Sequence, residues 1–278
     1  MEQIRIAAGI VLYNPESERL RQNIEAILPQ VDALFLVDNG SATPIEVNHG
    51  QLIRNEQNLG IAKALNQLMT LAEEQGYDWM LTLDQDSICP SQLIATMRPY
   101  AQSEKQAGIL CPVIVDRSYG IEHQPSANET LTPVQECITS ASLTRVKAWR
   151  EVGGFDDRLF IDAVDTDFCL SLHEHGWKVL RVNTLHLLHE IGHRATQHRV
   201  FGRCYIAFNH APIRYYYMAR NMVFLSRKHP GFLKPAPWRC LLTMMARMLV
   251  VLLWEKEGKF GKCRQIIRGC RDGMRMRC

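Results

Sequence analysis

Long apolar runs, paired cysteines and, over the first 200 residues, repeats or low-complexity stretches are all missing from this chain, and each absence removes a class of protein. The most apolar segment, Leu241 to Trp254, has 14 residues with Arg247 as its only charge, short of the roughly 20 needed to cross a bilayer. Nine cysteines make an odd number without CxxC spacing, which argues against a disulfide framework and a structural zinc site. The opening MEQIRIAAGIVLY lacks the basic start, apolar run and small-residue cleavage site of a signal peptide. A reducing, cytosolic setting with free thiols is therefore expected, most of them buried as small hydrophobes.

What is present is enough to fold. With 278 residues, 46% hydrophobic and 22% charged, the chain can bury a sizeable core. Its net charge of +3 is uneven, because residues 255 to 278 carry eight Lys or Arg against three acids, a local +5 that leaves −2 elsewhere. An apolar helix over Leu241–Trp254 followed by a polybasic tail is expected to meet an anionic membrane surface; packing on the domain is the alternative.

The first third alternates apolar runs with amphipathic segments: IRIAAGIVLY, a periodic stretch from Ser17 to Leu28, ALFLVDNGS, IAKALNQLMTLAEEQG and DWMLTLDQDS. This strand and helix rhythm implies an α/β fold with buried parallel strands. The polar residues at the strand ends are Tyr13-Asn14, Asp38-Asn39 and Asp84-Gln85-Asp86, and in open α/β sheets that edge binds ligands.

Two carboxylates one residue apart after a strand, Asp84 and Asp86, can form a hard oxygen site suited to Mg2+ or Mn2+ on a diphosphate, or simply decorate a solvated turn. Asp38 can accept hydrogen bonds from a base or ribose, or simply close an Asp-Asn-Gly turn. Asn58 and Gly60 precede a helix near Ile61, as a cap or as a site for an anionic ligand. Residues 118 to 133 are polar enough for a mobile loop over the site. Further on, GGFDDRLFIDAVDTDFCLSLHEHGW gathers Asp156, Asp157, Asp162, Asp165 and Asp167 at the start of a helix. Asp165 and Asp167, at the start of that helix, complement its dipole or, more sharply, a base for a hydroxyl proton stands among these acids.

In this order VLYNPE, VDNGS, NLGIAKALN, LTLDQDS, Ser140-Ala141-Ser142, GGFD with FIDAVDTDFC, and RYYYMARN resemble the family-2 glycosyltransferases of GT-A fold, and among them bacterial rhamnosyltransferases. The resemblance implies a Rossmann-like mixed sheet flanked by helices over residues 1 to 225, with a nucleotide-binding part to 115 and an acceptor part from 116. Residues 226 to 278 would be a membrane-associating helical extension. It further implies a nucleotide-sugar donor held by Tyr13, Asn14, Asp38, Asn39, Asn58, Gly60, Lys63, Asp84, Gln85, Arg214 and Arg220. A metal would sit at Asp86 and His189, with His186 and His193 as rivals, and Asp165 would be the general base. The family's acidic pair reads Glu-Asp-x-Asp, whereas this chain has Val164-Asp165-Thr166-Asp167.

The implied reaction is inverting transfer of L-rhamnose from dTDP-L-rhamnose to a lipid-linked oligosaccharide precursor of a bacterial surface polysaccharide such as O-antigen or capsule, at the inner membrane face. UDP-hexose transfer is the nearest alternative. A metal-dependent phosphohydrolase and a non-catalytic nucleotide-sugar binding module are more distant ones.

Overall fold

A computed structural model describes residues 4–116, 120–121, 129–189, 196–200, 203–231 and 237–278. They form two compact units, residues 1–160 with 164–189 and residues 161–163 with 190–278. The expected boundary at 225 falls inside a continuous helix of the second unit.

The first unit is built on β1 (Ile6–Leu12), whose residues are buried apart from a half-buried Val11. Such a run suits a parallel strand covered on both faces. Helix α1 (Ser17–Ile27), capped by the Glu16 carboxylate, returns the chain to β2 (Ala33–Asp38) and then β3 (Gln51–Arg54). Helix α2 (Ile61–Glu74) buries Ala62, Leu65, Leu68, Met69 and Ala72 and leads into β4 (Trp79–Asp84). Gly9 in β1 lets α2 lie close, since a Cβ there would meet the Leu68 side chain at 2.9 Å.

Helix α3 (Leu93–Ser103) is followed by β5 (Ala107–Asp116), β6 (Gly120–Ile121), β7 (Leu131–Pro133), β8 (Ser142–Arg145), α4 (Val146–Glu151), α5 (Val164–Glu174) and β9 (Lys178–His189). The sheet order is β3-β2-β1-β4-β8-β5-β9-β7, with β6 on β5. Strands β3, β2, β1 and β4 run parallel, and β8 is antiparallel to β4. The α/β expectation is met by this mixed sheet. Within the region expected as a loop, 131–133 instead pairs with β9, while 118–119 and 122–128 lie outside the described residues.

The second unit contains the ribbon of β10 (Thr196–Val200) and β11 (Arg203–Ala207), then α6 (Pro212–Lys228), α7 (Pro237–Trp254) and α8 (Lys259–Arg275). The basic tail is thus mostly helix. Tyr215, Ala219 and Val223 of α6 share a core with Met244 and Val251 of α7 and with Cys263, Ile266 and Cys270 of α8. Glu255 is buried at the α7–α8 corner, where the Tyr215 hydroxyl donates to it and the Lys262 ammonium lies 2.9 Å away. Among the described residues no helix is long and apolar enough to cross a membrane.

Two glycines set how closely α8 approaches α6. A Cβ at Gly269 would come within 2.4 Å of the Tyr216 carbonyl oxygen, and one at Gly273 within 2.4 Å of that of Arg220. Gly269→Val is therefore expected to destabilise the second unit by about 1–3 kcal/mol, the usual cost of overpacking. Thermal denaturation followed by circular dichroism checks this; an unchanged midpoint would mean that α8 does not dock on α6.

Candidate active site

Parallel pairing brings three strand ends level. Val11 is opposite Asp84 and Leu12 opposite Asp38, so the residues following β1, β2 and β4 share one edge of the sheet. There Tyr13 and Gln85 are tied by a hydrogen bond from the Tyr13 amide to Gln85 Oε1 at 2.8 Å. Asn14 adopts a positive φ of 47°, a region where asparagine is one of the few tolerated residues. Its amide donates to Ser41 Oγ and its Oδ1 accepts from the Ala42 amide. Asp38 is buried and accepts the Ser41 amide at 3.0 Å, so it does close the Asp-Asn-Gly turn.

The Asp84–Asp86 turn is held from below. The Ser87 amide donates to the Asp84 carbonyl, which also accepts the Asn23 amide group at 2.8 Å. Arg19 donates to the Asp86 carbonyl at 2.8 Å, and Ser140 Oγ sits 2.8 Å from Ser87 Oγ. Arg19 and Asn23 on α1 carried no sequence signal beyond their helical phase. With its backbone fixed in this way, the turn leaves Asp86 exposed to solvent.

Residues 139–142 connect this turn to Asp165. The Ala141 amide donates to the Thr82 carbonyl, with Ala141 at a positive φ of 58°. Ser140 Oγ lies 3.4 Å from the Asp84 amide, which donates to it. The Thr139 backbone meanwhile hydrogen-bonds the Asp165 carboxyl. Burial pushes Asp165 up to about 7, the nearby charges of Asp84 and Cys137 push in the same direction, and backbone hydrogen bonds oppose the shift. Asp165 stays partly accessible, because it opens on a pocket of about 350 Å³ also lined by Cys111, Glu136, Cys137, Thr166 and Arg181. Thr166 donates to Glu136 at 2.7 Å. A larger pocket of about 650 Å³, between α1 and residues 43–49, meets this set only at Asn14.

Other expected donor contacts are engaged within the protein. Asn39 is buried; its Nδ2 donates to Asn58 Oδ1 and the Gly60 carbonyl, and its Oδ1 accepts from the Leu59 amide and Asn55. Asn58 does not cap α2. Gly60 is the N-cap, at a φ of 88°, and the Ile61 amide donates to the Phe160 carbonyl rather than facing a ligand. Lys63 pairs with Asp157 at 2.9 Å, an exposed contact worth under about 1 kcal/mol. Asn66, not singled out by its sequence position, holds the GGFDD segment: it donates to the Phe155 carbonyl and Asp157 and accepts from Trp149 and the Phe155 amide.

In the second unit, Arg214 pairs with Asp162 at 3.1 Å. Arg220 lies over the Tyr216 and Tyr217 rings and donates to Asn221 Oδ1. The buried Asn221 donates to the carbonyls of Ile161 and Asp162, which helps hold Asp162 and Ala163 at positive φ. His186 is exposed, whereas the side chain of His189 and all of His193 lie outside the described residues.

Among the described residues no cluster of three or more His, Cys, Asp or Glu is arranged to hold a metal. Asp84 and Asp86 still fit one: a hard cation of the Mg2+ type is commonly held by one or two carboxylates, with substrate phosphates and water completing its shell.

Residues 8–154 match the family model described as Glycosyl transferase family 2. The chain belongs to that family. It is a glycosyltransferase, 31% identical over 244 residues to the dTDP-rhamnosyl transferase RfbF of Shigella flexneri, covering 81% of this chain and 80% of that one. The fold is shared with the mannosyltransferase PcManGT of Pyrobaculum calidifontis, solved with GDP-Man and Mn2+ (TM-score 0.59, 11% identity, 98% of this chain and 88% of that chain). It is shared too with residues 1–349 of S. aureus TarS, solved with UDP (TM-score 0.57, 12% identity, 85% and 68%).

The Asp165 shift has a stability consequence for the transferase. Its neutral carboxyl is favoured in the fold, so this stability is fully present below about pH 4 and is lost as pH rises to about 7. In metal-free urea denaturation, Asp165→Asn should gain on the natural chain between pH 4 and 7 and keep that advantage above. Parallel pH profiles would remove the assigned burial of the carboxyl.

Proposed function

We propose that this glycosyltransferase is an inverting, metal-dependent rhamnosyltransferase. In this reading it transfers L-rhamnose from dTDP-L-rhamnose to a lipid-linked oligosaccharide precursor of a bacterial surface polysaccharide, as in O-antigen or capsule synthesis. The observation that carries the reaction class is that one turn, residues 139–142, contacts both the Asp84–Asp86 turn and a carboxyl poised near neutral pH. The similarity to RfbF supports the donor.

Asp84 and Asp86 would hold the metal together with the donor diphosphate, and His189 is the proposed further ligand. The cation, Mg2+ or Mn2+, supplies charge neutralisation for the leaving nucleoside diphosphate. Asp38, with Tyr13, Asn14 and Gln85, would form the nucleoside side of the donor site. Asp165 takes the proton from an acceptor hydroxyl as that oxygen attacks the anomeric carbon and the diphosphate departs. A base with a pKa of about 7 is half ionised at neutral pH, near the optimum for accepting a proton. One displacement with no enzyme nucleophile inverts the anomeric centre. Arg214 and Arg220 remain proposed phosphate contacts, and the reading does not depend on them.

Asp165→Asn should reduce rhamnose transfer at least 100-fold, within the range general-base catalysis contributes, while calorimetry still detects dTDP with Mn2+. Asp86→Ala should weaken that binding only when Mn2+ is present. Full transfer by the first variant, or unchanged Mn2+-dependent affinity in the second, would overturn the assigned roles.

A lipid-linked acceptor also requires approach to a membrane, and the second unit supports this. Leu242, Met245, Leu249 and Leu253 form an exposed stripe on α7, while Phe260, Arg264, Ile267, Arg271 and Met274 form a mixed apolar and basic stripe on α8. The full chain should co-sediment with phosphatidylglycerol vesicles, whose anionic surface attracts basic side chains, and less with pure phosphatidylcholine vesicles. Leu249→Glu with Phe260→Glu should release it; equal sedimentation of both proteins on both vesicles would refute the surface.

A further inference from the structure

Three cysteines far apart in sequence, Cys111, Cys137 and Cys169, come from β5, the segment before β8, and α5. Cys169 lies one helical turn beyond Asp165, so both project from one face of α5. Its Sγ is 3.9 Å from Cys137 Sγ and 3.9 Å from the Cys137 carbonyl oxygen. Cys111 and Cys169 are buried, whereas Cys137 is only half buried. Both Cys111 and Cys137 line the Asp165 pocket, and Cys169 lines the small adjoining cavity that also reaches Asp165.

We propose that Cys137 and Cys169 are an oxidisable thiol pair beside the Asp165 carboxyl, closed to a disulfide by a peroxide entering through the Asp165 pocket. Cys137 reacts first because, of these three thiols, it alone is half buried and lines both cavities. The neighbouring thiols of Cys111 and Cys169, with Ser142, stabilise its thiolate and hold it below the usual thiol range. The thiolate attacks the peroxide oxygen, the O–O bond breaks, and Cys137 becomes a sulfenic acid as hydroxide takes up the displaced proton to give water. Cys169 sulfur then displaces the sulfenic hydroxyl, which leaves as a second water. In sum, two thiols and one hydrogen peroxide give one disulfide and two waters.

Closing the bond draws the sulfurs from 3.9 Å to about 2.05 Å. It pulls the 137 segment against α5, and Thr139, whose backbone binds the Asp165 carboxyl, lies two residues along. The disulfide thereby displaces the base. Its effect on transfer rests on the function proposed above; its formation does not.

The test treats the full chain with hydrogen peroxide, removes the excess with catalase, blocks remaining thiols and maps peptides by mass spectrometry. A Cys137–Cys169 linked peptide is expected. Transfer should fall roughly 100-fold, the order lost when a reacting group moves by about 1 Å, and dithiothreitol should restore it. Cys169→Ser should stop at a Cys137 sulfenic acid trapped by dimedone, and Cys137→Ser should keep its own untreated rate through the same exposure. The proposal fails if no linked peptide forms, if Cys137 links to Cys111 instead, if the link leaves transfer unchanged, or if Cys137→Ser is inactivated as steeply as the natural chain. A linked peptide in a chain that transfers no sugar even before treatment would uphold the thiol pair and remove the transferase-site reading instead.

Discussion

The parallel registry of β1 with β2 and β4 is the constraint from which the site follows. It sets Leu12 against Asp38 and Val11 against Asp84, and no side-chain contact could substitute for that alignment. A slip of one residue would turn every buried side chain of a strand to the other face, and in β1 nearly every position is buried. Core packing therefore fixes the spacing of polar groups at the edge, although none of those groups contributes to the core.

Chemistry enters where backbone is held in unfavourable conformations. Asn14, Ala141, Asp162 and Ala163 are non-glycine residues at positive φ, an arrangement that costs energy and persists only where its surroundings enforce it. The enforcing contacts can be named: Ser41 and Ala42 for Asn14, the Thr82 carbonyl for Ala141, and Asn221 for Asp162. Asp165 owes its altered acidity chiefly to burial, with the charges of Asp84 and Cys137 adding to it. Asp167, two residues on, is buried on the same helix.

Much of this was readable from residue order alone. Apolar runs ending in polar residues located the strands and the edge they share, because burial on both faces demands continuous hydrophobicity. Four-residue β3, with half-buried and exposed positions only, carried no such run. Asn39 shows a deeper limit. An amide that both donates and accepts serves equally well to bind a ligand or to brace two loops, and only its four internal partners reveal the second role. The thiols were invisible as a group, since no spacing rule links residues 111, 137 and 169. The 255–278 segment was legible as charge, but not as a helix whose glycines seat it on α6.

That seating makes the C-terminal segment two things at once. Lys262, Cys263, Ile266 and Cys270 are buried while Arg264, Arg268 and Arg271 remain outside. A truncation that strips the positive charge also uncovers the apolar flank of α6, so a shortened protein that precipitates or is degraded says nothing about electrostatics. Charge and scaffold can be separated only one side chain at a time. Drift in natural sequences should obey the same limit, exchanging outward arginines far more freely than the small residues beneath them.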